Sequence, residues 1–252
     1  MIVPPGLAGI LGAGAGAILG SFLATLILRL PQGRSPFTGR SACDGCGRTL
    51  GATELIPVIS AIVMRGRCRT CGGRIDPLHL HVELASAAVG GVLMFLMPSV
   101  AGIGWTVMGL FLLTLAVLDW RHFWLPDVLT LPLAFLGLTL GLWTSAVPLA
   151  DRVIGAAAGY GALLAIALAY RRLRGREGLG LGDAKLLGAI GAWLGWRALP
   201  FLLLIASALA LLFVLGAKLS GRDVDGATRL PLGSFLCLAV PPTIMTLWLF
   251  HL

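Results

Sequence analysis

The chain has 252 residues, 58% of them hydrophobic and 12% charged, with a net charge of +8 and a mean hydropathy of +0.94. Soluble domains carry about a quarter charged residues, so the composition excludes an ordinary soluble domain and describes an integral membrane protein. The basic excess invites a nucleic-acid reading, but the placement of the charges along the chain argues against it.

Apolar stretches approaching the span of about 20 residues that crosses a bilayer recur at 6–30, 82–99, 102–118, 128–146, 150–170, 184–197, 199–217 and 231–251. About eight transmembrane helices are therefore expected. The first carries Gly12, Gly16 and Gly20 at four-residue spacing, a pattern repeated by Gly155/Gly159 and Gly191/Gly195. Small residues at that spacing let membrane helices approach closely, so these glycines are expected at helix contacts. No positive segment precedes the first helix and Arg29 follows it, which predicts an anchor with its N-terminus outside rather than a cleaved leader.

Between helices 1 and 2 lies the one long polar segment, 31–81. It holds Cys43-Asp-Gly-Cys46 and Cys68-Arg-Thr-Cys71, two C-x2-C knuckles separated by 21 residues. Four thiolates so spaced suit tetrahedral zinc. Gly45, Gly47, Gly72 and Gly73 allow the tight turns that such knuckles need. Two disulfides or free thiols are the rival reading, disfavoured on a reducing cytoplasmic face. Four protein ligands leave no open position, so one zinc ion here would be structural, and it would compensate for a small core. Arg48, Arg65, Arg67, Arg69 and Arg74 surround the knuckles, as topogenic charge or as contacts to acidic lipid headgroups. Cys237, far along the chain, reads as an apolar packing residue.

With 31–81 inside, the loops near 119–127, 171–183 and 218–230 also fall inside. Of the 19 Lys and Arg, only Arg152 and Arg197 then lie outside. Cytoplasmic loops are enriched in Lys and Arg, so the positive charge is a topology signal. The fold class is an all-α polytopic membrane protein with a small cytoplasmic four-cysteine zinc-binding domain inserted between helices 1 and 2.

Only 11 acidic residues occur. Asp119 ends one apolar stretch, Asp127 heads the next, and Asp183 heads a third in GLGLGDAKLLG. The charge-derived topology puts all three at the cytoplasmic ends of their helices. Two adjacent carboxylates cannot both ionise cheaply, so one keeps a proton. Such a pair can activate water and protonate a leaving amine, and Asp119 with Asp183 is the candidate. Gly180 and Gly182 remove side chains just before Asp183, giving a substrate backbone room to approach. Lys185 either acts on its acidic neighbour or snorkels to headgroups. Asp183 alone also suits a helix N-cap, Asp119 a pair with Arg121, and Asp127, after Pro126, most simply a helix N-cap. A transporter with an ion relay is disfavoured because the ionisable residues sit at helix ends.

The chain resembles the bacterial type IV prepilin peptidases over most of its length. The resemblance rests on Arg-Leu-Pro at 29–31, ELIPVIS between the knuckles, RGRCRTCGGRI at 65–75 and Val-Glu-Leu at 82–84. It continues through LDWRHFWLPDVLTLPL, GLGLGDAKLLGAIGAWLGW and PLGSFL at 231–236. The resemblance implies a bifunctional enzyme of the bacterial inner membrane that faces the cytoplasm. It would cleave the short basic leader of prepilins and pseudopilins after a glycine, then methylate the new N-terminus with S-adenosylmethionine. The family's catalytic aspartates fall on Asp119 and Asp183, and its zinc ligands on Cys43, Cys46, Cys68 and Cys71. Segment 31–81 would then accompany methylation, following a first helix over 1–30, and 82–252 would form the peptidase domain. Glu83 is a candidate cofactor contact. Asp44 departs from the family's usual proline, and His79-Leu80-His81 from its usual Arg-Tyr-Pro; both lie in the region linked to methylation. A leader peptidase without methyltransferase activity is the alternative.

Overall fold

The computed structural model describes residues 3–43, 45–175, 180–222 and 229–250. Nine α-helices form among them: α1 (Pro5–Arg29), α2 (Ile59–Val63), α3 (Leu78–Leu96), α4 (Val100–His122), α5 (Asp127–Leu138), α6 (Leu149–Arg174), α7 (Leu181–Leu194), α8 (Ala198–Leu219) and α9 (Leu232–Leu249). The chain divides into two compact units, Met1–Thr114 and Leu115–Leu252.

In the first unit α1 starts with Pro5, whose fixed φ and missing N–H suit a first helical position. Its glycine stripe lies against α3. A β-carbon on Gly12 or Gly16 would overlap the carbonyl oxygen of Gly90 or Ser86, and one on Gly20 would come within 2.8 Å of the Ser86 side chain. Backbone-to-backbone packing of this closeness is possible only for glycine.

In the second unit α7 is the central element, with every residue from Leu186 to Leu194 buried. Gly155 and Gly159 of α6 meet Gly191 and Leu187 of α7, where added β-carbons would strike backbone atoms. On the α5 side, Trp193 is fully buried and its Nε1–H donates to the Leu133 carbonyl at 2.8 Å.

All eight apolar stretches contain helix, but the expected count of about eight full spans is corrected. Among the described residues six helices are long and apolar enough to cross a membrane: α1, α3, α4, α6, α8 and α9. The stretch 128–146 breaks after the 12 residues of α5, which contain Pro132, and 184–197 becomes the 14-residue α7. At 1.5 Å per residue these run about 18 and 21 Å, short of the roughly 30 Å hydrocarbon core. Composition marked α7 as a membrane span because an apolar helix packed inside protein reads like one facing lipid, and α5 because the apolar run continues past its end at Leu138.

Arg152 was expected among the outside charges; its side chain is instead fully buried in the second unit. Nε donates to the Val147 carbonyl at 3.1 Å, Nη1 to Gly137, Ala192 and Trp193, and Nη2 to Gly141 and to Ser145 Oγ. Gly137 lies in the last turn of α5, and Ala192 and Trp193 in the last turn of α7. Helix C-termini leave carbonyls unpaired and carry partial negative charge. One guanidinium therefore satisfies two helix ends, and they stabilise its charge without a carboxylate.

Candidate active site and metal centre

The two cysteine knuckles of the first unit have the same backbone construction. Cys43 N–H donates to the Arg48 carbonyl at 2.9 Å and Gly47 N–H to that of Cys43 at 2.8 Å. In the second, Cys68 N–H donates to Gly73 at 2.9 Å and Gly72 N–H to Cys68 at 3.0 Å. Isolated antiparallel bridges close both, Ala42 with Thr49 and Arg67 with Arg74. Gly47 and Gly72, each immediately after its second cysteine, have φ of 70° and 68°. A side chain would strain both turns.

The four cysteine sulfurs lie within 4.8 Å of one another, and Cys43 and Cys71 Sγ are 3.7 Å apart. Four thiolates about 2.3 Å from a tetrahedral ion would stand about 3.8 Å apart, so the set fits one metal ion. All four cysteines are unbridged. The Cys71 and Thr70 backbone N–H groups hold the Cys68 thiol below its usual range, while Cys71, crowded by the other cysteine sulfurs, is pushed up. Asp44 lies outside the described residues.

Between the knuckles, buried Glu54 accepts from Arg48 Nη2 at 2.6 Å and from Gly51 N–H at 2.8 Å. Those bonds, Arg48 first, hold its carboxyl below the ordinary carboxylate range. Glu83, near the head of α3, is also buried and accepts from Val58 N–H at 2.7 Å. Val58 has φ of 65°, a strained conformation for a β-branched residue. The Glu83 carboxylate thus ties α3 to the segment between the knuckles.

In the second unit Asp119 and Asp183 line one cavity of about 270 Å³, together with Phe123, Trp124, Leu125, Asp127, Gly180, Gly182 and Lys185. Asp119 sits in the last turn of α4 and is 5% exposed. Asp183 is not the N-cap of α7. Gly180 takes that position, and Asp183 is the third helical residue, its carboxylate beside the Gly180 backbone. Gly180 borders the cavity. Gly182 lines it too, but the room its missing side chain leaves is filled by Leu125, whose Cβ a substituent would meet at 2.9 Å.

Asp127 is not an N-cap either. Pro126 holds that position and makes no side-chain cap bond, while Asp127 follows in the first turn of α5. Both of its carboxylate oxygens accept from Lys185 Nζ, at 2.7 and 2.8 Å. The geometry therefore pairs the lysine of GDAK with Asp127, across the heads of α5 and α7.

The head of α9 was missed as a source of site residues. Gly233 and Ser234 are its second and third residues. The Gly233 N–H stands near the Asp183 carboxylate. Ser234 N–H donates to Asp119 Oδ2 at 2.7 Å, and Ser234 Oγ lies 3.0 Å from the same oxygen. Amides in the first turn of a helix have no intrahelical acceptor, and Asp119 fills that need for Ser234. Gly233 is required by space, since a β-carbon would stand 3.1 Å from Asp119 Cγ and 2.7 Å from Leu125. The sequence signal was the PLGSFL motif at 231–236, which carries the family resemblance but no titratable side chain that would mark it as part of the site. Cys237, one turn further along α9, is buried as expected of a packing residue.

A carboxylate pair sharing one cavity, with Asp119 buried and Asp183 half-buried, can divide one proton between an acid and a base. Fold and site together define a multi-pass membrane protein with a four-thiolate centre and a carboxylate-lined cavity. The type IV leader peptidase family matches residues 106–215, and the bacterial peptidase A24 N-terminal domain matches 15–97. A prepilin leader peptidase/N-methyltransferase of Burkholderia pseudomallei (strain 1026b) is 43% identical over 206 residues, covering 81% of this chain and 66% of the relative. Proteins of the same description from Aeromonas salmonicida (strain A449) and Klebsiella pneumoniae are 38% and 41% identical, covering 88% and 77% of this chain and 85% and 88% of the relatives. No solved structure matches. The chain belongs to the type IV leader peptidase family.

Proposed function

We propose that this chain cleaves the basic leader peptides of prepilins and pseudopilins and methylates the N-terminus that cleavage exposes. The observation that carries the reading is the shared cavity of Asp119 and Asp183, with Asp119 held by the Ser234 backbone amide at the head of α9. The similarity to proteins described as prepilin leader peptidase/N-methyltransferases supports both activities.

Asp119 and Asp183 act as the catalytic pair. The ionised carboxylate removes a proton from a water, whose oxygen attacks the scissile carbonyl carbon, while the protonated partner donates to the carbonyl oxygen. The tetrahedral intermediate then collapses: the C–N bond breaks, the departing nitrogen takes up the proton first removed from water, and the partner aspartate recovers its proton from the former carbonyl oxygen, which leaves a carboxylic acid, a free amine and the pair in its starting state. Gly180 keeps one wall of the cavity low beside Asp183. The Lys185–Asp127 pair fixes the heads of α5 and α7 at the rim and takes no proton in the reaction.

The polar segment 31–81, after a first helix over 1–30, is linked to methylation, and 82–252 carries peptidase activity; the separate family matches at 15–97 and 106–215 support two functional parts, though the first match extends past residue 82. Cys43, Cys46, Cys68 and Cys71 hold one structural zinc ion, which braces the small domain and leaves no coordination position for a substrate. S-adenosylmethionine is the methyl donor. To Glu83 we assign the bracing of Val58 and no contact with the donor. The bias of Lys and Arg to one side supports a bacterial inner-membrane protein whose site faces the cytoplasm. Its partners are the pilin-like substrates and membrane lipids, not nucleic acid.

The test is to incubate the purified full chain with a prepilin and labelled S-adenosylmethionine, following cleavage and methyl transfer separately. Both are expected. Cleavage without label in the product would identify a peptidase alone, and no cleavage would overturn the proposal.

A further inference from the structure

Ser234 is 2% exposed, and its hydroxyl faces two oxygens. Oγ is 3.0 Å from Asp119 Oδ2 and 2.9 Å from the Ala116 carbonyl oxygen. A serine hydroxyl has one proton and two lone pairs, so it donates to only one of these at a time. The Ala116 carbonyl can only accept. The state of Asp119 therefore sets the direction of the hydroxyl. When Asp119 is ionised, Ser234 O–H donates to Oδ2. When Oδ2 carries a proton, that proton is donated to Ser234 Oγ, and the Ser234 O–H turns to Ala116.

We propose that Ser234 is a positioning residue of the peptidase, a hydroxyl rotor that keeps Asp119 hydrogen-bonded in both protonation states of the catalytic cycle. The inference rests on the reading of Asp119 and Asp183 as the catalytic pair. Ser234 N–H remains fixed on Oδ2 throughout and sets the position of the carboxylate. The hydroxyl alone adapts, moving a proton by a bond rotation with no displacement of α4 or α9. Without it, the protonated state leaves the Oδ2 proton with no acceptor at this position, and the ionised state loses a donor. A buried polar group left unpaired is costly. The penalty falls on the steps in which Asp119 changes state rather than on substrate binding.

The experiment measures prepilin cleavage by the full-length protein carrying Ser234→Ala or Ser234→Thr, with Asp119→Asn beside them. Methylation of a pilin already lacking its leader reports on folding. Alanine keeps the backbone N–H and removes only the hydroxyl. For S234A, kcat should fall about 10- to 100-fold, the worth of one hydrogen bond to a charged group. Its KM should stay within about twofold, and methyl transfer should be unchanged. S234T, which restores the hydroxyl, should recover most of the lost kcat. Wild-type kcat in S234A would overturn the rotor, as would a loss shared equally by methyl transfer, or a threonine variant no better than alanine. Normal cleavage by D119N would instead overturn the catalytic pair itself.

Discussion

Lys185 Nζ lies 2.7 and 2.8 Å from the two carboxylate oxygens of Asp127, a residue 58 positions earlier in the chain. The pair joins the first turns of α5 and α7 at the edge of the cavity that holds Asp119 and Asp183. The lysine side chain is 30% exposed and the aspartate 56%, so solvent screens the attraction. Exposed pairs are worth about 0.2–1 kcal/mol. Asp127→Asn and Lys185→Met should therefore each lower cleavage only severalfold and move thermal unfolding little. The two losses should combine less than additively in a double-mutant cycle. Inactivation by D127N as complete as by D119N would move Asp127 into the chemistry.

Arg152 should matter far more to stability although it is far from Asp119 in sequence. Arg152→Met leaves the carbonyls of Gly137, Ala192 and Trp193 buried without their shared donor. Each unpaired buried group costs about 1–3 kcal/mol, so a loss of about 3 kcal/mol or more is expected. Thermal unfolding in detergent micelles would show it as a clear fall in Tm. Arg152→Lys should recover only part, since an ammonium lacks the planar fork that reaches several carbonyls at once.

Replacing Cys43, Cys46, Cys68 and Cys71 together with serine should remove bound zinc from the purified protein, whereas Cys237→Ser should leave metal content unchanged. Elemental analysis of both variants decides it. Metal content equal to wild type in the quadruple variant would contradict the assignment of the four sulfurs. Chelator treatment should also open the segment between the knuckles to protease, because the ion is expected to order it.

Glu54 supplies a pH signature in the same segment. Arg48 and the Gly51 N–H hold its carboxyl below the ordinary range, so the folded state binds this proton less readily than the unfolded chain. Its contribution is fully present above the unfolded value of about 4.3 and is lost as pH falls through the lower folded value. Protease protection of residues 47–67 in the full chain should fall across that acidic window. Glu54→Gln should start from lower protection and show less change over it. An identical acid response in both proteins would contradict the role of Glu54.

The membrane class, the glycine contacts of α1 with α3 and the two knuckles were legible in the sequence because each depends on local residue type. The nearness of Asp119 and Asp183 was legible more indirectly, through the one-sided distribution of Lys and Arg. What stayed hidden depends on packing between distant elements. An apolar helix buried like α7 has the composition of one facing lipid, so that short helix was read as a span. Arg152 reads as an outside charge at the start of an apolar stretch until the ends of α5 and α7 converge on it. Asp127 follows proline and reads as a cap because nothing near it in sequence announces Lys185. Ser234 is a plain serine in an apolar run, and its partner lies 115 residues away.

The most direct test of the account is leader cleavage by the purified Asp119→Asn and Asp183→Asn proteins, with methyl transfer to a leaderless pilin measured in parallel. Asparagine keeps the shape of the side chain and removes the titrating oxygen. Cleavage should be undetectable in either variant while methyl transfer persists. Cleavage at the wild-type rate in either one would contradict the claim that this pair carries the reaction.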